Sequence, residues 1–174
     1  MKTTGIVRRI DELGRVVIPK EIRRTMHLKE GEEMEVFVAP DNSLVLKKYS
    51  AVKELADFAQ GYADIVHNTT GINCLICDLD NFVAAASEKT SYLNKRISKT
   101  LENILTGRKS AYLKGDNTIN LLADESKSYK DMAVSPILVG GDVLGGVVMV
   151  SANGSGESSV KIAEIVSGFL ARQI

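Results

Sequence analysis

Four arginines near the start of the chain, Arg8, Arg15, Arg23 and Arg24, carry its most distinctive chemistry. A guanidinium is always charged, planar and forked, so it grips a phosphate or a guanine edge with two parallel hydrogen bonds. Arg9 adds a basic group of second rank. Residues 1–29 hold eight basic and three acidic side chains, a net charge of +5, whereas residues 30–50 are net −3 and residues 51–174 net −2. The formal charge of zero over 174 residues therefore hides a concentrated positive field at one end. Such asymmetry points to a polyanionic partner. A merely solvated face, with Asp11, Glu12 and Glu21 as local counter-ions, is the alternative that charge alone leaves open.

Other constellations are weaker. Cys74-Leu75-Ile76-Cys77 has redox or metal-ligand spacing, but it lies in an apolar run that reads as a strand. Residues three apart on a strand point to opposite faces. With His27 and His67 the only histidines, two buried structural thiols and no metal site are expected. Asp78 and Asp80 begin like a calcium loop that the following residues do not complete, so a hairpin turn is expected. Gly140-Gly141 and Gly154-Ser155-Gly156 read as turn and linker glycines. No histidine is placed to activate a serine, so no catalytic residue, no cofactor and no enzyme are expected. No apolar run reaches the ~18 residues that cross a membrane, and residues 1–5 lack the apolar stretch of a signal peptide. Two closely spaced cysteines suit a reducing cytoplasm.

The elements that must position the arginines are short. Thr4 to Ile10 alternates as a strand, Asp11-Glu12-Leu13-Gly14 turns, and Arg15 to Ile18 returns. Pro19 can occupy the first position of a helix running to about Met26, with Glu21 in its first turn and Arg23 and Arg24 in its last. Glu33 to Val38 alternates again, burying Met34, Val36 and Val38, and Pro40-Asp41-Asn42-Ser43 turns into Leu44 to Lys47. Two hairpins and a two-turn helix bury too little to stand alone, so pairing with a second copy is expected.

Ser50 is placed to cap the next helix. Val52, Leu55, Ala59, Tyr62, Val66 and Thr69 then follow as a coiled-coil seam, or as one face of an amphipathic helix lying on its own domain. Beyond Gly71 come strands at 72–78 and 82–86 and a helix carrying Leu93, Ile97, Leu101 and Ile104, closed by Gly107. Short strands at 111–113 and 119–122 precede a hairpin of 132–139 with 143–151. A last helix buries Ile162, Ile165, Val166, Phe169 and Leu170. This order indicates an antiparallel sheet flanked by helices, an architecture common among small-molecule sensors.

The run from Thr4 to Thr25, TGIVRRIDELGRVVIPKEIRRT, resembles the N-terminal domain of the AbrB transition-state regulators, and Leu46-Lys47-Lys48-Tyr49 resembles its close. The resemblance implies a swapped-hairpin dimer that binds double-stranded DNA through basic residues, here Arg8, Arg15, Arg23 and Arg24, then Arg9. The remainder, from Tyr49-Ser50-Ala51-Val52 to Gly168-Phe169-Leu170-Ala171-Arg172-Gln173, is similar to the stage V sporulation protein T family, in which a GAF-like domain follows that module. The expected fold is α+β: a swapped-hairpin β-barrel over residues 1–50, a linker helix over 51–70 and a GAF-like antiparallel sheet flanked by helices over 71–174. The implied function is activation and repression of late forespore transcription, by a homodimer through residues 1–50 assembled into a homotetramer through the C-terminal domains. An unidentified small-molecule ligand and a pure oligomerisation scaffold both remain open for that second half. A toxin-neutralising antitoxin is the alternative, although antitoxins carry a disordered acidic tail where this chain has an apolar-patterned domain.

Overall fold

A computed structural model describes residues 4–115, 118–124, 126–127, 129–151 and 153–174. Residues 1–3, including the basic Lys2, lie outside the described residues. The chain divides into two compact units, Met1–Tyr49 and Ser50–Ile174.

In the first unit, helix α1 spans Lys20–Thr25, and strands β1 (Met34–Val38) and β2 (Leu44–Lys48) form an antiparallel pair. Pro19 is the residue before α1 rather than its first position, with φ −58° and ψ 147°. The expected hairpin of Thr4–Ile10 with Arg15–Ile18 is not formed within one chain: among the described residues these segments join no ladder. Val36 and Val38, expected in a core, are exposed, Val38 to 70%. The reason is size, because a pair of five-residue strands and a two-turn helix are too small to cover the faces of the pair.

The second unit opens with α2 (Ala51–Glu54) and α3 (Ala56–Thr70), interrupted at Leu55. Ser50 caps α2 as expected, its side chain accepting from the Lys53 N–H. Strands β3 (Asn73–Asp78), β4 (Phe82–Ala85), β5 (Ala111–Lys114), β6 (Asp131–Val139) and β7 (Asp142–Val150) form one sheet in the order β4-β3-β7-β6-β5. Every neighbouring pair is antiparallel. Gly140 and Gly141, at φ 59° and 93°, turn β6 into β7, which is the backbone a two-residue hairpin demands.

Helices cover both faces. Val52, Ala59, Ala63 and Val66 of α2 and α3, with Ala163, Val166 and Leu170 of α6 (Ser159–Leu170), pack on Cys74, Ile76, Ala133, Val147 and Met149. The seam of α3 therefore lies on its own sheet. On the other face, α4 (Lys89–Tyr92) and α5 (Lys99–Thr106) bring Tyr92, Leu101 and Leu105 against Leu75, Cys77, Met132, Val134 and Val148.

Three expectations are corrected. The helix expected from Leu93 begins at Lys99, capped by Ser98, because the backbone of 93–97 turns at the left-handed Asn94 and bonds to the turn and start of β4: Phe82 N–H donates to the Lys95 carbonyl and Ile97 N–H to that of Asp80. Residues 119–122 form no strand. Their backbone is taken by the α5 cap, with Ser98 N–H bonding the Leu121 carbonyl, while Leu121 and Leu122 are buried. On α6, Ile165 and Phe169 are exposed, since the buried stripe is Ala163, Val166, Ser167 and Leu170.

Candidate nucleic-acid interface

The loop at the tip of the first unit is built by Asp11. One carboxylate oxygen accepts the Leu13 N–H at 3.0 Å and the Arg15 N–H at 2.8 Å, and the other accepts Arg15 Nε at 2.8 Å. Backbone bonds from Asp11 N–H to the Arg15 carbonyl and from Gly14 N–H to the Asp11 carbonyl complete the turn. Gly14 takes φ +77°, which an L side chain adopts only with strain. The Arg15 backbone N–H and then its guanidinium hold the Asp11 carboxyl below its ordinary range, so it stays ionised.

Arg23 and Arg24 occupy the last turn of α1, and both side chains are exposed. The helix closes with Leu28 N–H on the Arg23 carbonyl at 2.8 Å and His27 N–H on that of Arg24 at 3.3 Å, with His27 left-handed at φ 53°. This two-bond closure pins the turn that carries both arginines. Ile22, Met26 and Leu28, together with Ile6, Arg8 and Val16 among others, line a cavity of about 340 Å³. Arg8 thus borders the apolar cavity, Arg15 rides the loop and Arg23 with Arg24 rides the helix. Arg9 is exposed in the segment before the loop. All five come from one compact unit and face solvent. The part played by Asp11 goes beyond the counter-ion suggested by charge counting, and the legible signal was an aspartate opening a glycine-containing turn.

The remaining candidates resolve as structure. Cys74 and Cys77 are buried against opposite faces of the sheet. Burial pushes the Cys74 thiol up to about 12, and burial together with the charge of Asp78 raises that of Cys77. Asp78 spends one oxygen on the N–H groups of Asp80 and Asn81 and the other on the Ser50 hydroxyl at 2.9 Å, as a turn and junction residue. No cluster of three metal-ligating side chains occurs among the described residues. No helix among the described residues is long and apolar enough to cross a membrane.

Comparison with known proteins follows the same division. Residues 7–54 match the model for the antidote-toxin recognition family MazE, bacterial antitoxin, and residues 54–174 that for the stage V sporulation protein T C-terminal, transcription factor. Stage V sporulation protein T of Bacillus subtilis (strain 168) is 46% identical over 176 residues, covering 100% of this chain and 99% of the relative. The transition state regulatory protein AbrB of the same organism is 57% identical over 49 residues, 28% of this chain and 50% of AbrB. Among solved structures, the cofactor binding GAF domain of the nutrient sensor CodY from Clostridium difficile gives a TM-score of 0.52 at 18% identity, covering 66% of this chain and 82% of that one. At that identity the likeness shows the fold alone. A GAF-type second unit behind an AbrB-like first unit, matched end to end by one relative, establishes that the chain belongs to the stage V sporulation protein T family of transcription factors.

Proposed function

We propose that this chain is a sequence-specific, cytoplasmic DNA-binding regulator that activates and represses late forespore genes. Its parts are a DNA-binding module at residues 1–50 and a sensor or oligomerisation domain at 71–174, with the helical segment expected as a linker at 51–70 packed on that domain's sheet. The observation that carries this reading is the set of exposed arginines, Arg8, Arg15, Arg23 and Arg24 with Arg9 behind them, on one small unit of a transcription-factor family. Arginine forks supply phosphate contacts that fix register, and guanine contacts that read sequence. A solvated face would not need Arg15 held by a buttressed loop or Arg23 and Arg24 on a doubly closed turn.

Two exposed apolar faces support the reading of a bivalent assembly. In the first unit Val7 is 85% exposed, and Ile10, Val17, Val38 and Leu44 are also exposed, a burden that a swapped hairpin from a second copy would cover. In the second unit Phe58 and Phe169 stack at 6.1 Å with Tyr62 between them, and Ile65 and Ile165 stand beside them 61% and 71% exposed. Pairing these faces of α3 and α6 makes a tetramer, so that two DNA-binding dimers act at one local concentration.

The test is a gel-shift titration of a promoter fragment selected from genomic DNA. Arg15→Ala and Arg23→Ala each weaken binding by about fivefold to 150-fold, the loss expected from about 1–3 kcal/mol per bidentate contact, while sedimentation mass is unchanged. Wild-type binding by both variants overturns the reading. The match of residues 7–54 to an antitoxin model favours a second reading, a toxin-neutralising protein. That reading predicts a tight complex with a co-expressed toxin; promoter binding without one speaks against it.

A further inference from the structure

We propose that Asp11 is a positioning residue for DNA recognition, holding the Arg15 guanidinium by its Nε edge so that the two terminal amino groups face outward as a ready fork. The proposal rests on the reading of Arg15 as a DNA contact. Three observations carry it. Both oxygens of Asp11 are engaged, one on the loop backbone and one on the side chain it orients. Among the described hydrogen bonds Arg15 uses only Nε and its backbone groups. The Arg15 side chain stays 71% exposed, so the pair does not serve to bury the arginine.

An exposed ion pair contributes little to folding. Its effect here is on freedom: a long guanidinium that samples many rotamers loses that freedom on binding, and a clamp applied beforehand removes part of the loss. The clamp acts through Nε, the one nitrogen not needed when the terminal groups meet a phosphate or the O6 and N7 of guanine. The same carboxylate fixes the backbone from which the arginine springs, so loop and fork are set together.

This assignment makes a counter-intuitive prediction of sign. Asp11 is an anion beside a polyanion, so on electrostatics alone its neutralisation tightens DNA binding. Aiming of Arg15 requires the opposite. In Asp11→Asn the amide oxygen can still accept the Leu13 and Arg15 N–H groups, but the amide nitrogen meets Nε donor to donor. Asp11→Ser keeps a turn-forming acceptor and offers nothing to Nε, so it serves where the asparagine variant unfolds.

The experiment is a double-mutant cycle in the full chain, read by fluorescence anisotropy on one promoter duplex, with circular dichroism and sedimentation confirming fold and mass. The expected result is a loss of about two- to tenfold for Asp11→Asn and Asp11→Ser, and no loss for the same changes in an Arg15→Ala background. Unchanged or tighter binding by the folded Asp11 variants, with Arg15→Ala weak, overturns the positioning role alone. An equal loss in both backgrounds overturns it too, by showing that Asp11 acts other than through Arg15. Wild-type affinity of Arg15→Ala instead overturns the underlying DNA-contact reading.

Discussion

Asp11 and Asp131 are both tied-down carboxylates, yet they do different work. Asp11 is half exposed and governs a loop, whereas Asp131, at the start of β6, is only 5% exposed and locks the approach to α6. Burial pushes the Asp131 carboxyl up, but the N–H and hydroxyl of Ser155, the Tyr112 hydroxyl and the Gly156 N–H outweigh it, leaving the group below its ordinary value of 3.8. The folded value is the lower one, so the unfolded chain takes up this proton first as pH falls. The stabilisation is complete above the ordinary value and is lost on the way down through the folded one. Asp131→Asn therefore costs about 1–3 kcal/mol at neutral pH and flattens the acid limb of the urea midpoint plotted against pH. Gly145 offers a steric counterpart: a Cβ there would overlap the Cys77 carbonyl on the neighbouring strand. Gly145→Ala costs about 1–3 kcal/mol by overpacking, read as a lower thermal midpoint of the second unit. The arginines were legible because charge and type survive without a fold. The bonds of Asp131 were not, since Tyr112 and Ser155 lie 19 and 24 residues away in sequence.

Among elements, those whose partners are local were legible. The β6–β7 hairpin follows from Gly140-Gly141, α2 from its Ser50 cap, and β3 from an apolar run covered on both faces. Elements decided by distant chain were not. The apolar spacing of Leu93 and Ile97 mimics a helix, but their backbone pairs with the turn and strand at 80–82, so the helix waits for Ser98. Residues 4–18 carry the alternation of a hairpin, yet among the described residues of one chain they have no ladder partner. Ser50 combines local and distant bonds, accepting from Lys53 N–H and donating to Asp78. Ser50→Ala removes both and lowers stability by about 1–2 kcal/mol, measurable by urea unfolding of the full chain.

At the scale of the molecule, charge and apolar surface are partitioned between the two units. The first carries the net positive segment at residues 1–29 and an uncovered apolar face; the second is net negative and carries both buried cores and an exposed aromatic and aliphatic strip on α3 and α6. If that strip joins two DNA-binding dimers, Ile165→Glu halves the sedimentation mass and weakens binding to a two-site promoter more than to a single site. The antiparallel sheet flanked by helices was legible as element order, because strands and a long hairpin between helices leave few antiparallel arrangements, whereas its GAF type was legible only through the resemblance. The claim on which the account depends is that the arginine-bearing unit binds DNA by contacting phosphates and reading bases. Its most direct test is the affinity of the full chain for a selected promoter duplex and a scrambled duplex across a salt series. The account predicts a preference for the promoter, and a log–log slope against salt that becomes shallower by about one unit for each phosphate contact removed, hence by about two for one phosphate-contacting arginine removed from each chain of a DNA-binding dimer. Binding that ignores salt, or that does not distinguish the two duplexes, would contradict it.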